Sequence, residues 1–305
     1  MPKIAFCFAG QGAQYSGMGK DLYENSDSAK KVFDMAESFR KGTTEQCFTA
    51  SLEEISITKN TQPCLFCVDL ACAKALEENG IKADFVAGFS LGEIPALAFT
   101  GVLSEEDAFK LVTKRGELMQ IAATENPGAM AAVLKLENEQ VEEICRRYDR
   151  VFPVNYNCKG QLVIAGDSEN IDKACADISA IKGRAKKLNV SGAFHTPFMV
   201  SASVGIKEML GEMTLSDTNV PLYSNYTSLP YDGDKTELIS NQLMNPVKWQ
   251  QSVENMAKDG AEIFIEVGAG KTLSGLIKKI IPGAKVYNVQ DIESLNKTVE
   301  EIKNV

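Results

Sequence analysis

The chain has 305 residues, 44% of them hydrophobic and 24% charged, with a formal net charge of −9. That length suits one large domain, or a domain carrying an insertion, with ample apolar material for a core. The negative balance excludes a general nucleic-acid binder, which needs a basic surface to neutralise phosphates, and obliges any acidic partner to meet a local basic patch.

In chain order, Met-Pro-Lys is followed by a short apolar run and Gly10-Gln11-Gly12. The run is too short for a signal peptide and lacks a cleavage pattern, so it predicts a first strand over 3–8. Further strands are expected at 84–88, 221–225, 262–267 and 284–288, with amphipathic helices at 61–79, 104–124 and 196–213. Strands alternating with helices define an α/β fold. The stretch from 128 to 190 departs from this rhythm. It reads strand (129–134), helix (137–147), strands (151–157 and 161–165), helix (168–180), strand (184–190). That is the βαββαβ order of a ferredoxin-like unit. The expected division is therefore a discontinuous large domain, 1–126 and 194–305, with a small subdomain, 127–193. Eight irregularly spaced cysteines, mostly within apolar runs, suggest buried reduced thiols in a cytoplasmic protein. Cys64 and Cys67 have half-site spacing, but no second Cys pair exists and the single histidine lies elsewhere, so neither metal nor cofactor is expected. No segment approaches a membrane span.

Gly88-Phe89-Ser90-Leu91-Gly92 falls between a strand and a helix, the context of a nucleophile elbow. Two glycines allow a sharp turn that exposes Ser90, and the N–H of Leu91 at the helix start can face a developing oxyanion. A serine hydroxyl needs a base. If that base is an imidazole, it is His195, since the chain holds no other. Gly10-Gln11-Gly12 fails as a dinucleotide fingerprint because Tyr15 stands at the third glycine position, but its loop can present the Gln11 N–H at the sheet's carboxyl edge. The Gly268–Thr272 stretch, GAGKT, fails as a phosphate-binding loop because Ile265 replaces the first glycine; a tight strand-to-helix connection is expected instead. On the 104–124 helix, Ala108, Leu111, Val112, Leu118, Met119 and Ala122 form an apolar stripe centred on Arg115. A buried guanidinium needs an anionic partner, either an internal carboxylate or one on a substrate.

Six segments in this order, FAGQGAQYSGMG, GFSLGE, KRGELMQ, SGAFHTPFM, NQLMNPVKW and EVGAGKTLSGL, resemble the malonyl-CoA:acyl carrier protein transacylase family over essentially the whole chain. The resemblance implies an α/β-hydrolase-like core with an inserted ferredoxin-like subdomain. It also implies malonyl transfer from malonyl-CoA to the phosphopantetheine thiol of acyl carrier protein, expected in type II fatty-acid biosynthesis. By the same resemblance Ser90 is the acylated nucleophile and His195 its base, Gln11 and Leu91 supply the oxyanion hole, and Arg115 holds the malonyl carboxylate. Gln242 then orients the histidine through its backbone carbonyl, and Phe194 accompanies selectivity for malonyl over methylmalonyl. Two positions depart from the family pattern: Phe89, where a histidine is common, and Pro95, early in the following helix. Rival readings are a serine hydrolase, which has no use for a carboxylate-binding Arg115, a silent carrier-binding subunit, and a nucleotide-binding protein. As a neutral base, His195 is expected to lose function as pH falls through roughly 6–7. The basic run around Arg184, Lys186 and Lys187 is the expected dock for an acidic carrier protein, with a solvated edge strand as the alternative.

Overall fold

Nine strands form among the described residues, which are 2–190 and 192–304 of a computed structural model. Met1, Ser191 and Val305, included in the expected domain bounds and motifs, lie outside them. In chain order the strands are β1 (Lys3–Phe8), β2 (Phe85–Gly88), β3 (Ala129–Leu134), β4 (Val151–Cys158), β5 (Gln161–Gly166), β6 (Arg184–Lys187), β7 (Leu222–Tyr223), β8 (Ala261–Val267) and β9 (Lys285–Val289).

The continuous apolar runs make a parallel sheet in the order β7-β2-β1-β8-β9, as expected for strands covered on both faces. Every residue of β2 is buried, and β1 is buried beyond Lys3. The Thr58–Glu78 helix is buried along nearly its whole length and packs against the Glu105–Glu125 helix. Register places Phe8 beside both Gly88 and Val267. The loops after β1, β2 and β8 therefore emerge side by side at the carboxyl edge, where open α/β sheets bind ligands.

The second sheet is antiparallel in the order β4-β5-β3-β6, with the Asn138–Arg146 and Ser168–Ala180 helices packed on it over a separate apolar cluster. The molecule is thus an α/β-hydrolase-like core carrying an inserted ferredoxin-like subdomain. A bridge between Pro127 and Gly192 closes the neck of the insertion, and β4 leans on the core through Val247 N–H to Val154 O, 2.8 Å.

Three elements are shorter than their sequence patterns suggest. The 221–225 strand is confined to Leu222–Tyr223, because Ser224 and Asn225 turn their N–H groups to Leu229 O and the Glu93 carboxylate. The 184–190 strand stops at Lys187, and Leu188, Asn189 and Val190 turn to line a cavity. The 196–213 helix divides into a 3-10 turn, Pro197–Met199, capped by the Thr196 hydroxyl, and a helix, Val200–Leu210.

Candidate active site

Phe89 leaves β2 and Ser90 adopts φ of 53°, a left-handed conformation that costs a β-carbon residue about 1–3 kcal/mol. The two glycines of the turn are sterically required. A β-carbon on Gly88 would lie 2.1 Å from the Gly92 carbonyl carbon, and one on Gly92 2.3 Å from Phe8 O. Three hydrogen bonds hold the strained turn. Ser90 N–H donates to Asn225 Oδ1 at 2.6 Å, Asn225 Nδ2 donates to Gly88 O at 2.5 Å, and Gln242 Nε2 donates to Ser90 O at 2.7 Å. A 3-10 turn, Ser90–Gly92, then leads into the Glu93–Phe99 helix. Pro95 sits in that helix's first turn, where a missing N–H is tolerated.

His195, itself at φ 61° and buried, approaches from the segment after the small unit. Its Nε2 lies 2.7 Å from Ser90 Oγ and its Nδ1 2.9 Å from Gln242 O. A carbonyl can only accept, so Nδ1 carries the proton and Nε2 presents its lone pair to the serine hydroxyl. Burial, reinforced by the Arg115 charge, lowers the imidazole pKa to about 4. The expected loss of base function through pH 6–7 is therefore corrected: a buried imidazole beside a guanidinium stays neutral well below that range.

Arg115 is 1% exposed. Gly116 lets its helix approach Lys59 and Gln62 closely, since a β-carbon there would meet the Lys59 Cα at 3.2 Å. The guanidinium donates to Gln62 Oε1 and Gln242 Oε1, each at 2.9 Å, and to Ser90 Oγ at 3.3 Å. All three partners are neutral, and among the described residues Arg115 Nε has no acceptor. Of the two partners open to a buried arginine, the internal carboxylate is reached only through an amide: Glu93 accepts from Gln242 Nε2 at 2.9 Å.

Ser90, His195 and Arg115 face one cavity of about 520 Å³, also lined by Gln11, Phe89, Met119 and Phe194, and from the small unit by Met130, Asn155 and Asn189. Phe194 is nearly buried there, and Phe89 packs edge-on against Trp249 with ring centroids 5.6 Å apart. Gln11 anchors its side chain on Thr58 Oγ1 at 3.3 Å. Among the described residues neither the Gln11 nor the Leu91 N–H donates to a protein acceptor, whereas the Ser90 N–H is committed to Asn225. The sequence-predicted residues Gln11, Ser90, Leu91, Arg115, Phe194, His195 and Gln242 are thus brought together. Arg184, Lys186 and Lys187 lie on the edge strand β6 and do not line this cavity, and Lys187 pairs with Asp172.

Sequence reasoning missed Glu93, Asn225, Tyr231 and Gln62. A lone acid in the apolar run after Ser90 was the available signal for Glu93; the others sit in unremarkable polar contexts. The GAGKT stretch is a tight connection into the Thr272–Ile280 helix, whose free Leu273 and Ser274 N–H groups are already taken by the Glu266 carboxylate, leaving no place for a phosphate. Among the described residues no group of three or more His, Cys, Asp or Glu side chains could hold a metal ion, and no helix is long and apolar enough to cross a membrane.

An α/β-hydrolase-like sheet presenting a strained serine to a histidine is an arrangement suited to enzymes that handle acyl groups. The chain belongs to the acyl transferase domain family, whose model matches residues 5–299. It is 38% identical over 312 residues to the malonyl CoA-acyl carrier protein transacylase of Bacillus subtilis (strain 168), covering 99% of this chain and 98% of that protein. It is 37% identical over 304 residues to the Staphylococcus aureus (strain MRSA252) protein of the same name, covering 97% and 98%. Among solved structures, the malonyl CoA-acyl carrier protein transacylase from Clostridium perfringens superposes with a TM-score of 0.96 at 38% identity, over 99% of this chain and 98% of that one. A malonyl-transacylase in complex with a type II PKS acyl-carrier protein gives 0.94 at 31% identity, over 98% and 99%.

Proposed function

We propose that the protein transfers the malonyl group of malonyl-CoA to the phosphopantetheine thiol of acyl carrier protein. The observation that carries this reading is the single hydroxyl of Ser90 held between the His195 base and the Arg115 guanidinium in one cavity. Ser90 Oγ attacks the thioester carbonyl while its proton passes to His195 Nε2. The N–H groups of Leu91 and Gln11 receive the negative charge on the carbonyl oxygen. Collapse expels the CoA sulfur, which takes the proton back from His195, and leaves a malonyl-serine ester. The carrier thiol then gives its proton to His195 and attacks that ester, regenerating Ser90. Gln242 O keeps the imidazole in the required tautomer throughout, and Arg115 holds the distal carboxylate by its planar fork. Phe194 limits the space beside the malonyl carbon, disfavouring the methyl branch of methylmalonyl.

Residues 127–193 act as the subdomain that walls the cavity, and 1–126 with 194–305 carry the chemistry. The carrier docks beside Arg184, Lys186 and Lys187. In support, this basic strand runs directly into Leu188, Asn189 and Val190, which line the cavity, so a pantetheine arm could enter beside it. The setting is the cytoplasm and type II fatty-acid biosynthesis; unpaired thiols, nearly all buried, suit a reducing compartment. Brief exposure to malonyl-CoA followed by intact-mass spectrometry tests the core of this reading. The parent should gain one malonyl group and pass it to carrier thiol faster than to water, and Ser90→Ala should gain none. A stable malonyl adduct elsewhere on Ser90→Ala, or release chiefly to water, would overturn it.

A further inference from the structure

Glu93, three residues after the serine, is 1% exposed and, among the described residues, is the only carboxylate hydrogen-bonded into the network around Ser90, His195 and Arg115. Its Oε2 accepts from Gln242 Nε2 at 2.9 Å and from the Asn225 N–H at 3.1 Å, and its Oε1 from the Tyr231 hydroxyl. Each of the first two partners leads to the reacting atoms. Asn225 grips the Ser90 N–H. Gln242 grips Ser90 O through its Nε2, Arg115 through its Oε1 and His195 through its backbone carbonyl.

We propose that Glu93 is a positioning residue for acyl transfer: its carboxylate fixes the Gln242 amide and the Asn225 loop, and through them the Ser90 turn, His195 and Arg115. The assignment rests on the acyltransferase reading above. A carboxylate only accepts, so together with Ser90 O it requires the Nε2 end of the Gln242 amide to face it. With Nε2 turned to Glu93, Oε1 must face Arg115; a flipped amide would set two donors against each other and free the guanidinium. The charge matters as well. When His195 takes the serine proton, an imidazolium forms beside Arg115, and Glu93 supplies the compensating negative charge.

Burial pushes the Glu93 pKa up to about 7 against hydrogen bonds from Tyr231, Gln242 and Asn225 and the charge of Arg115. The other ionisable groups facing it are silent in this range. His195 is lowered to about 4, Arg115 only to about 10, and Tyr231 is raised well above its ordinary value. Loading by malonyl-CoA in a single turnover, followed from about pH 5.5 to 8.5, tests the assignment. Parent loading should fall as pH drops through neutrality and Glu93 takes a proton. Glu93→Gln should load about 10–100-fold more slowly at the alkaline end, with a flat profile that the parent approaches in acid. Tyr231→Phe keeps the carboxylate but removes a bond favouring its charged form, so the inflection should move to higher pH. A Glu93→Gln protein loading at the parent's rate, or slower by the same factor at every pH, would overturn the proposal. So would an inflection absent from the parent or unmoved in Tyr231→Phe, which keeps the test decisive should Glu93→Gln fail to fold. Failure of the parent to form any malonyl-enzyme would instead sink the acyltransferase reading itself.

Discussion

The two sheets of this molecule divide labour unevenly. The parallel sheet and its helices contribute both ionisable groups in the cavity, His195 and Arg115, each buried, together with the half-buried Ser90, all fixed by named partners: Ser90 by Asn225 and Gln242, His195 by Gln242, Arg115 by Gln62 and Gln242. The antiparallel unit contributes only Met130, Asn155 and Leu188 to Val190 to the same cavity, and none of these titrates. It packs over its own apolar cluster and turns a row of charged side chains to solvent on β6. Catalytic electrostatics need groups that do not reorganise, which a doubly covered sheet supplies. A cavity wall and a docking edge need only shape and charge. Substitutions in the large unit should therefore act on the chemical step, and those in the small unit on substrate capture.

The largest effect is expected at His195. His195→Ala should slow acylation by several powers of ten, because base and nucleophile act as a unit. In a Glu93→Gln background, the parent histidine should keep loading flat with falling pH until about 4, where the buried imidazole finally protonates. A decline centred near pH 6.5 in that background would place His195 in a far wetter site than its 4% exposure suggests.

Arg115 comes next. Removing the partner of a buried substrate carboxylate costs about 3–5 kcal/mol, a few hundredfold and upward in kcat/KM. Arg115→Ala should lose malonyl transfer steeply while acetyl-CoA becomes a relatively better substrate, and Arg115→Lys should recover only part, lacking the fork. A malonyl-to-acetyl ratio that stays constant while both rates fall would make Arg115 purely a scaffold for Ser90 and Gln242.

The small unit should give weaker and differently distributed effects. Asn189 is exposed at the cavity rim, so Asn189→Ala should leave stability within about 0.5 kcal/mol and raise KM a few-fold with kcat unchanged. A fall in kcat alone would break the division between the units. Charge reversal at Lys186 and Lys187 should raise KM for carrier protein about two- to tenfold and flatten its salt dependence, with malonyl-CoA kinetics nearly unchanged. Lys186 should account for more of this than Lys187, which Asp172 already partly neutralises. Unaltered carrier kinetics would move the dock off β6.

Much of this was legible in the sequence, for a common reason: strand periods, the βαββαβ order and the glycines of the serine turn are local, so residue type and spacing determine them. The apolar stripe centred on Arg115 likewise buried the arginine, since helical geometry alone sets that direction. The tertiary structure decided what is long-range. Asn225 and Gln242 reach Ser90 across 135 and 152 positions; nothing near Asn225 announces it, and the segment around Gln242 pointed to His195 but not to the grip of its side chain on Ser90 and Arg115. Whether Arg115 met a carboxylate or an amide depended on the crossing of two helices at Gly116, and the histidine's depressed pKa on burial beside that same arginine. Local pattern names the reacting groups; the distances that set their charge states exist only once the chain has closed around them.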